Sequence, residues 1–158
     1  MRKFAIALAT AATLISTPAF AQDAAGQARV EARGGIVFDG DDSDAIAGIA
    51  AGYDFDLGSS AFAGVEVTAD KILADDTDIT LGFNGRLGAK LAGGTKLYGI
   101  GGYQTKPCDL CEESWTAGAG AEVPFGQNLY GKVEYRHFFV GNGFSDYDAA
   151  VAGIGVRF

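Results

Sequence analysis

Chemistry-bearing side chains are scarce in this chain, which has one histidine, two cysteines, one tryptophan and three prolines in 158 residues. One histidine and two cysteines leave too little material for a closed metal site or a nucleophilic triad. Positive charge is also in deficit. The 12 Lys and Arg face 20 Asp and Glu, for a net charge of −8, which excludes a nucleic-acid-binding face. Beyond the N-terminus no apolar run reaches the roughly 18 residues of a helical membrane span. Glycine is plentiful at 24 residues, hydrophobic residues make up 48% and charged ones 20%. That composition folds rather than staying disordered.

The first residues read as an address. Arg2 and Lys3 form a basic start, residues 4–15 an apolar run, Thr17-Pro18 a break, and Ala19-Phe20-Ala21 an A-x-A cleavage site. This is the pattern of a secretory signal peptide. Residues 1–21 are therefore expected to be removed and residues 22–158 to form one domain beyond the inner membrane, with a charge of −10.

After residue 27 the apolar pattern has period 2, in segments of about ten residues, and it reads as strands. Leu129, Val133, Tyr135 and Phe139 share one face, and Lys132, Glu134 and Arg136 the other. Near the C-terminus Ala150, Ala152, Ile154, Val156 and Phe158 alternate with Gly153, Gly155 and Arg157. Residues 28–33, 48–57, 63–68, 79–91 and 115–125 behave alike; residues 96–105 are the weakest segment, since both parities there are apolar or glycine. The connections interleave three short uncharged turns with four longer acidic loops at 39–44, 71–78, 106–112 and 141–147. Eight strands running up and down, with both termini at the short-turn end, follow from that order.

A soluble sheet hides its apolar face, whereas a membrane barrel turns it outward to lipid. Three features favour the membrane form. The polar parity balances Arg29, Arg33, Arg86, Lys90, Lys132, Arg136 and Arg157 against Glu31, Asp54, Asp56, Glu66, Glu122 and Glu134. Such a balance suits a narrow interior where an unpaired charge is costly. The same parity carries many glycines, which leave room for long side chains in an eight-strand interior. The apolar parity begins or ends in aromatics, with Phe38, Phe55, Phe62, Trp115, Phe125, Phe139 and Phe158 in that set, as interfacial girdles do. A lipocalin-like barrel with an apolar lumen is the soluble alternative.

With Ala19-Phe20-Ala21, the segment Y-G-K-V-E-Y-R at 130–136 and the closing G-I-G-V-R-F at 153–158, the chain resembles the small outer-membrane β-barrel proteins of Gram-negative bacteria, the opacity-protein and OmpA/OmpX-type barrels. The resemblance implies an all-β, eight-stranded antiparallel transmembrane barrel in the outer membrane. It also implies that Ile154, Val156 and Phe158 form an assembly signal read by the barrel insertion machinery. No wall-binding domain is expected after Phe158.

No catalytic, cofactor or metal residues are assigned, and the expected role is structural or surface-exposed, in adhesion or envelope integrity. A narrow gated pore stays open as an alternative, although an eight-strand interior filled with Arg and Glu is a packed one. A lipid A-modifying enzyme is the second alternative. Tyr135-Arg136-His137-Phe138-Phe139 loosely resembles the deacylase strand, but Phe139 stands where that strand carries its serine. Cys108 and Cys111 form an even pair in a secreted chain, which points to a disulfide. Thirteen acidic residues fall in or beside the long loops, among them Asp39, Asp41, Asp42, Asp44, Asp70, Asp75, Asp76, Asp109 and Asp148. From Asp39 the twelfth position is Ala50 rather than Glu, so no EF-hand is present. The expected partners are outer-membrane lipid and lipopolysaccharide, with divalent cations bridging the acidic loops to lipopolysaccharide.

Overall fold

The computed structural model describes residues 26–40, 42–74, 77–108, 111–141 and 143–158. Residues 1–21, Asp41, Asp75, Asp76 and Asp109 lie outside them, and with them the expected signal peptide and part of the acidic loop set.

Eight strands are present: β1 (Gly26–Asp39), β2 (Asp42–Leu57), β3 (Ala61–Ile72), β4 (Ile79–Lys90), β5 (Lys96–Gln104), β6 (Ser114–Pro124), β7 (Leu129–Val140) and β8 (Tyr147–Arg157). Each pairs antiparallel with its neighbour in the chain, and β8 closes on β1 to complete the barrel. Closure runs from Arg29 opposite Arg157 to Phe38 opposite Asp148. The Phe158 amide donates to the Ala28 carbonyl at 2.9 Å, so the last residue is tied to the first strand. A closed ladder leaves no strand edge unpaired, the condition for a sheet to lie in hydrocarbon.

Alternation sorts the side chains. Val65, Leu87, Val133 and Ile154 point outward at 56–63% exposure, while Arg29, Glu66, Arg86 and Arg136 are at most 3% exposed inside. Strands of 9 to 16 residues are long enough to cross a bilayer at a normal tilt. The short turns need a backbone that most residues avoid. Gly93 and Gly94 both adopt positive φ, at 77° and 79°, which only glycine enters freely.

Several boundaries and facings differ from the sequence reading. The 39–44 segment is not a long loop. Hairpin pairing continues to Asp39 opposite Asp42, because acidic side chains do not stop a main-chain ladder already aligned by the strands below. Asp70 belongs to β3 and is buried. Phe62 is not an outward girdle residue: it shares parity with Gly64 and Glu66, and it is fully buried. Asp56 and Lys90 have the inward parity but sit at the turn end, where their side chains are 46% and 20% exposed and pair with each other at 2.6 Å.

Candidate functional site

The lumen is the chemically distinctive part of the molecule. Among the described residues seven cations (Arg29, Arg33, Arg86, Lys96, Lys132, Arg136, Arg157) and six carboxylates (Glu31, Asp54, Glu66, Asp70, Glu122, Glu134) are buried in it. Sequence patterning places eleven of these inside. It missed Lys96, which follows a glycine turn, and Asp70, which sits beside a run of loop acids.

Glu66 on β3 is the hub. Its Oε2 lies 2.8 Å from Arg29 Nη1 and its Oε1 accepts from Arg136 Nη2 at 2.7 Å. Lys132 and Arg33 stand further off at 3.6 and 3.8 Å. Arg136 Nε also donates to Glu134 at 2.7 Å, Lys132 pairs with Glu134 at 2.6 Å, and Lys132 pairs with Glu31 as well. Two phenols finish this layer, Tyr98 donating to Glu134 at 2.9 Å and Tyr130 to Glu31 at 2.7 Å.

Toward the short turns a second layer forms around Arg86. Its Nη2 donates to Asp54 and Glu122, both at 2.9 Å, while Lys96 donates to Asp54 and Arg157 to Glu122, both at 2.7 Å. Arg86 lies 4.3 Å above the Tyr98 ring and 5.1 Å above that of Phe62, with Lys96 4.9 Å from Phe62. This explains an aromatic inside a charged lumen: its ring face is attractive to cations. Toward the loops Arg33 grips Asp70 with two donors. Glycine makes the space. A Cβ on Gly120 would come within 2.7 Å of Tyr98 Oη and Glu134 Cγ, and one on Gly155 within 2.6 Å of Tyr130 Oη.

The loop end of the lumen is closed differently, by an apolar cluster. Val37, Ile46, Phe138, Ala149 and Val151 are buried together, with Ile72 and Tyr147 against them. The Phe138 and Tyr147 rings stack at 4.5 Å. This plug escaped sequence patterning because both parities are apolar at those strand ends.

On the outer wall, His137 Nδ1 lies 2.8 Å from Asp148 Oδ1, which also accepts from Tyr135 Oη at 2.5 Å. Asp148 stands on β8. The His137 ring meets Phe139 edge-on at 4.6 Å. Cys108 and Cys111 are joined in a disulfide. Ile154 and Phe158 are outward and exposed at the end of β8, and Val156 is half-buried. No group of three or more His, Cys, Asp or Glu among the described residues converges on a point that could hold a metal ion.

A closed sheet with an ion-paired interior and an apolar exterior defines a transmembrane β-barrel. Residues 7–158 match the family of the outer membrane protein beta-barrel domain, and the chain belongs to that family. It is an outer-membrane protein of the Gram-negative type. It is 35% identical over 128 residues to the 25 kDa outer-membrane immunogenic protein of Brucella ovis, a match covering 71% of this chain and 63% of that one. The chain therefore spans somewhat under two thirds of that relative's length. Its fold is shared with the N-terminal β-barrel domain of Pseudomonas aeruginosa OprF (TM-score 0.61, 14% identity, 84% of this chain and 97% of that one). It is likewise shared with Ail, the attachment invasion locus protein of Yersinia pestis (TM-score 0.60, 15% identity, 85% and 99%).

Proposed function

We propose that this protein is a non-catalytic, non-conducting barrel that serves the outer membrane as a structural and surface-presenting element. The observation that carries the reading is the filled lumen. Ion pairs of 2.7–2.9 Å bridge it between separate strands at Glu66 and Arg86, and an apolar plug caps its loop end. A hydrated ion would have to break several buried pairs and then cross that plug. A deacylase-type His–Ser pair is not available at His137, because the position two residues on is Phe139, which has no hydroxyl to activate.

In this reading the loop end faces the outside, and adhesion or envelope integrity is carried by its short acidic loops. The Brucella relative is an outer-membrane immunogenic protein, which supports surface display. Divalent cations would bridge loop carboxylates to lipopolysaccharide phosphates, with ligands from both sides. Ile154, Val156 and Phe158 would offer the assembly machinery an exposed apolar strand end.

Planar-bilayer recording of the refolded barrel tests the closed lumen. The expected trace has no unitary steps between 0.1 and 1 M salt, roughly the range over which charge screening changes most. Reproducible single-channel steps would replace this reading with that of a pore.

A further inference from the structure

A cup of about 450 Å³ opens at the loop end, lined by Val37, Ile72, Val140, Phe144 and Tyr147 among apolar groups. That volume lies in the range of small-molecule sites. Strand register produces it. The β1–β2 hairpin continues past the apolar plug, with Gly35 opposite Ile46, Val37 opposite Asp44 and Asp39 opposite Asp42. Alternation then places Asp39, Asp42 and Asp44 on the same face as Val37 and Ile46. Glu112 adds a fourth carboxylate from the third long loop, and no Lys or Arg is among the lining residues. The plug beneath makes this a closed-bottomed cup rather than a channel mouth.

Two requirements follow for an occupant. The floor and the β7–β8 wall call for an apolar body, and the carboxylate rim calls for positive charge. The carboxylates do not converge as metal ligands do, so the charge they suit is diffuse and bulky. Anionic lipid would be repelled. Phe144 and Tyr147 line the cup, and aromatic side chains attract such a cation. We infer that the cup binds a lipophilic organic cation, an amine or quaternary ammonium with a compact aryl or alkyl body. This site goes beyond the structural role proposed above and does not depend on which end of the barrel faces outward.

The test uses the full mature chain refolded into phosphatidylcholine nanodiscs, with Phe and Tyr rings labelled for NMR. The probes are benzyltrimethylammonium, its neutral isostere neopentylbenzene, and phenylacetate. Saturable shifts at Phe144 and Tyr147 are expected with the ammonium. Its binding should be at least about tenfold tighter than that of the isostere, and phenylacetate should not bind, as charge complementarity requires. The combined Asp39→Asn, Asp42→Asn and Asp44→Asn variant should erase the tenfold preference while its heat-dependent gel migration stays that of a folded barrel. Should that variant not fold, Glu112→Gln, outside the hairpin, should weaken ammonium binding about threefold and leave the isostere unchanged. Equal binding of ammonium and isostere would overturn the inference. So would a preference untouched by these substitutions, one-to-one calcium binding that the ammonium cannot displace, or saturation by a Lys-Phe-Lys peptide where the ammonium shows none. Conductance reads the closed lumen and ring shifts read the cup, so each reading can fail without the other.

Discussion

Glu66→Gln changes one atom at the centre of the lumen and should be among the most destabilising conservative substitutions in the chain. The side chain is fully buried and serves two close cations, Arg29 at 2.8 Å and Arg136 at 2.7 Å, with Lys132 and Arg33 within 4 Å. The amide keeps the volume but removes the negative charge, and the buried set of seven cations and six carboxylates drops to five carboxylates. Breaking a buried ion pair by removing one partner costs about 3–5 kcal/mol, and that is the loss expected here. Asp56→Asn is the matched control. It makes the same chemical change in an ion pair at the turn end, where the carboxylate is 46% exposed, and exposed pairs are worth about 0–1 kcal/mol. Equilibrium urea unfolding from lipid vesicles, followed by Trp115 fluorescence, measures both. If Glu66→Gln cost no more than Asp56→Asn, the lumen would behave as a water-filled space and the packed-interior argument would fail.

Three further outcomes follow from the same geometry. Val133→Arg puts a charge on the outward face, where Val133 is 60% exposed; in vesicle unfolding it should cost about 2 kcal/mol or more if that face meets hydrocarbon, and near zero if it meets water. Phe62→Ala empties the fully buried ring site beneath Arg86 and Lys96 and should cost about 3–5 kcal/mol by the same assay. Reduction of Cys108–Cys111 should shift the mass of the chain, yet change stability by less than about 2 kcal/mol, since so short a loop removes little chain entropy and the β5–β6 ladder ends before it, at Gln104 opposite Ser114.

Strands β7 and β8 are the most legible in the sequence, because outward apolar residues alternate without a break with charged ones from Lys132 to Arg136 and with Gly153, Gly155 and Arg157 at the C-terminal end. The ionic lumen was legible for the same reason. The less legible features lie where one signal masks another. Asp70 and Asp44 stand beside loop acids, so their strand parity was hidden by composition. Phe62 resembles the girdle aromatics in residue type, although counting from Glu66 places it inward. Val37, Ile46, Phe138 and Val151 break the polar-in rule, because the plug is apolar on both sides of the wall. The ligand-sized cup above them depends on hairpin register at Asp39–Asp42, and composition cannot supply register.

Everything rests on the outward face being solvated by acyl chains. Trp115, the single tryptophan, is 67% exposed beside Tyr103 and Phe139, so quenching in bilayers brominated at defined acyl depths reads that face directly. The account predicts strong quenching of Trp115 by bromines near the headgroups. It also predicts deeper-lying quenching for Val133→Trp in a Trp115→Phe background, with little effect of aqueous iodide on either. Quenching of both by iodide and of neither by bromolipid would contradict it.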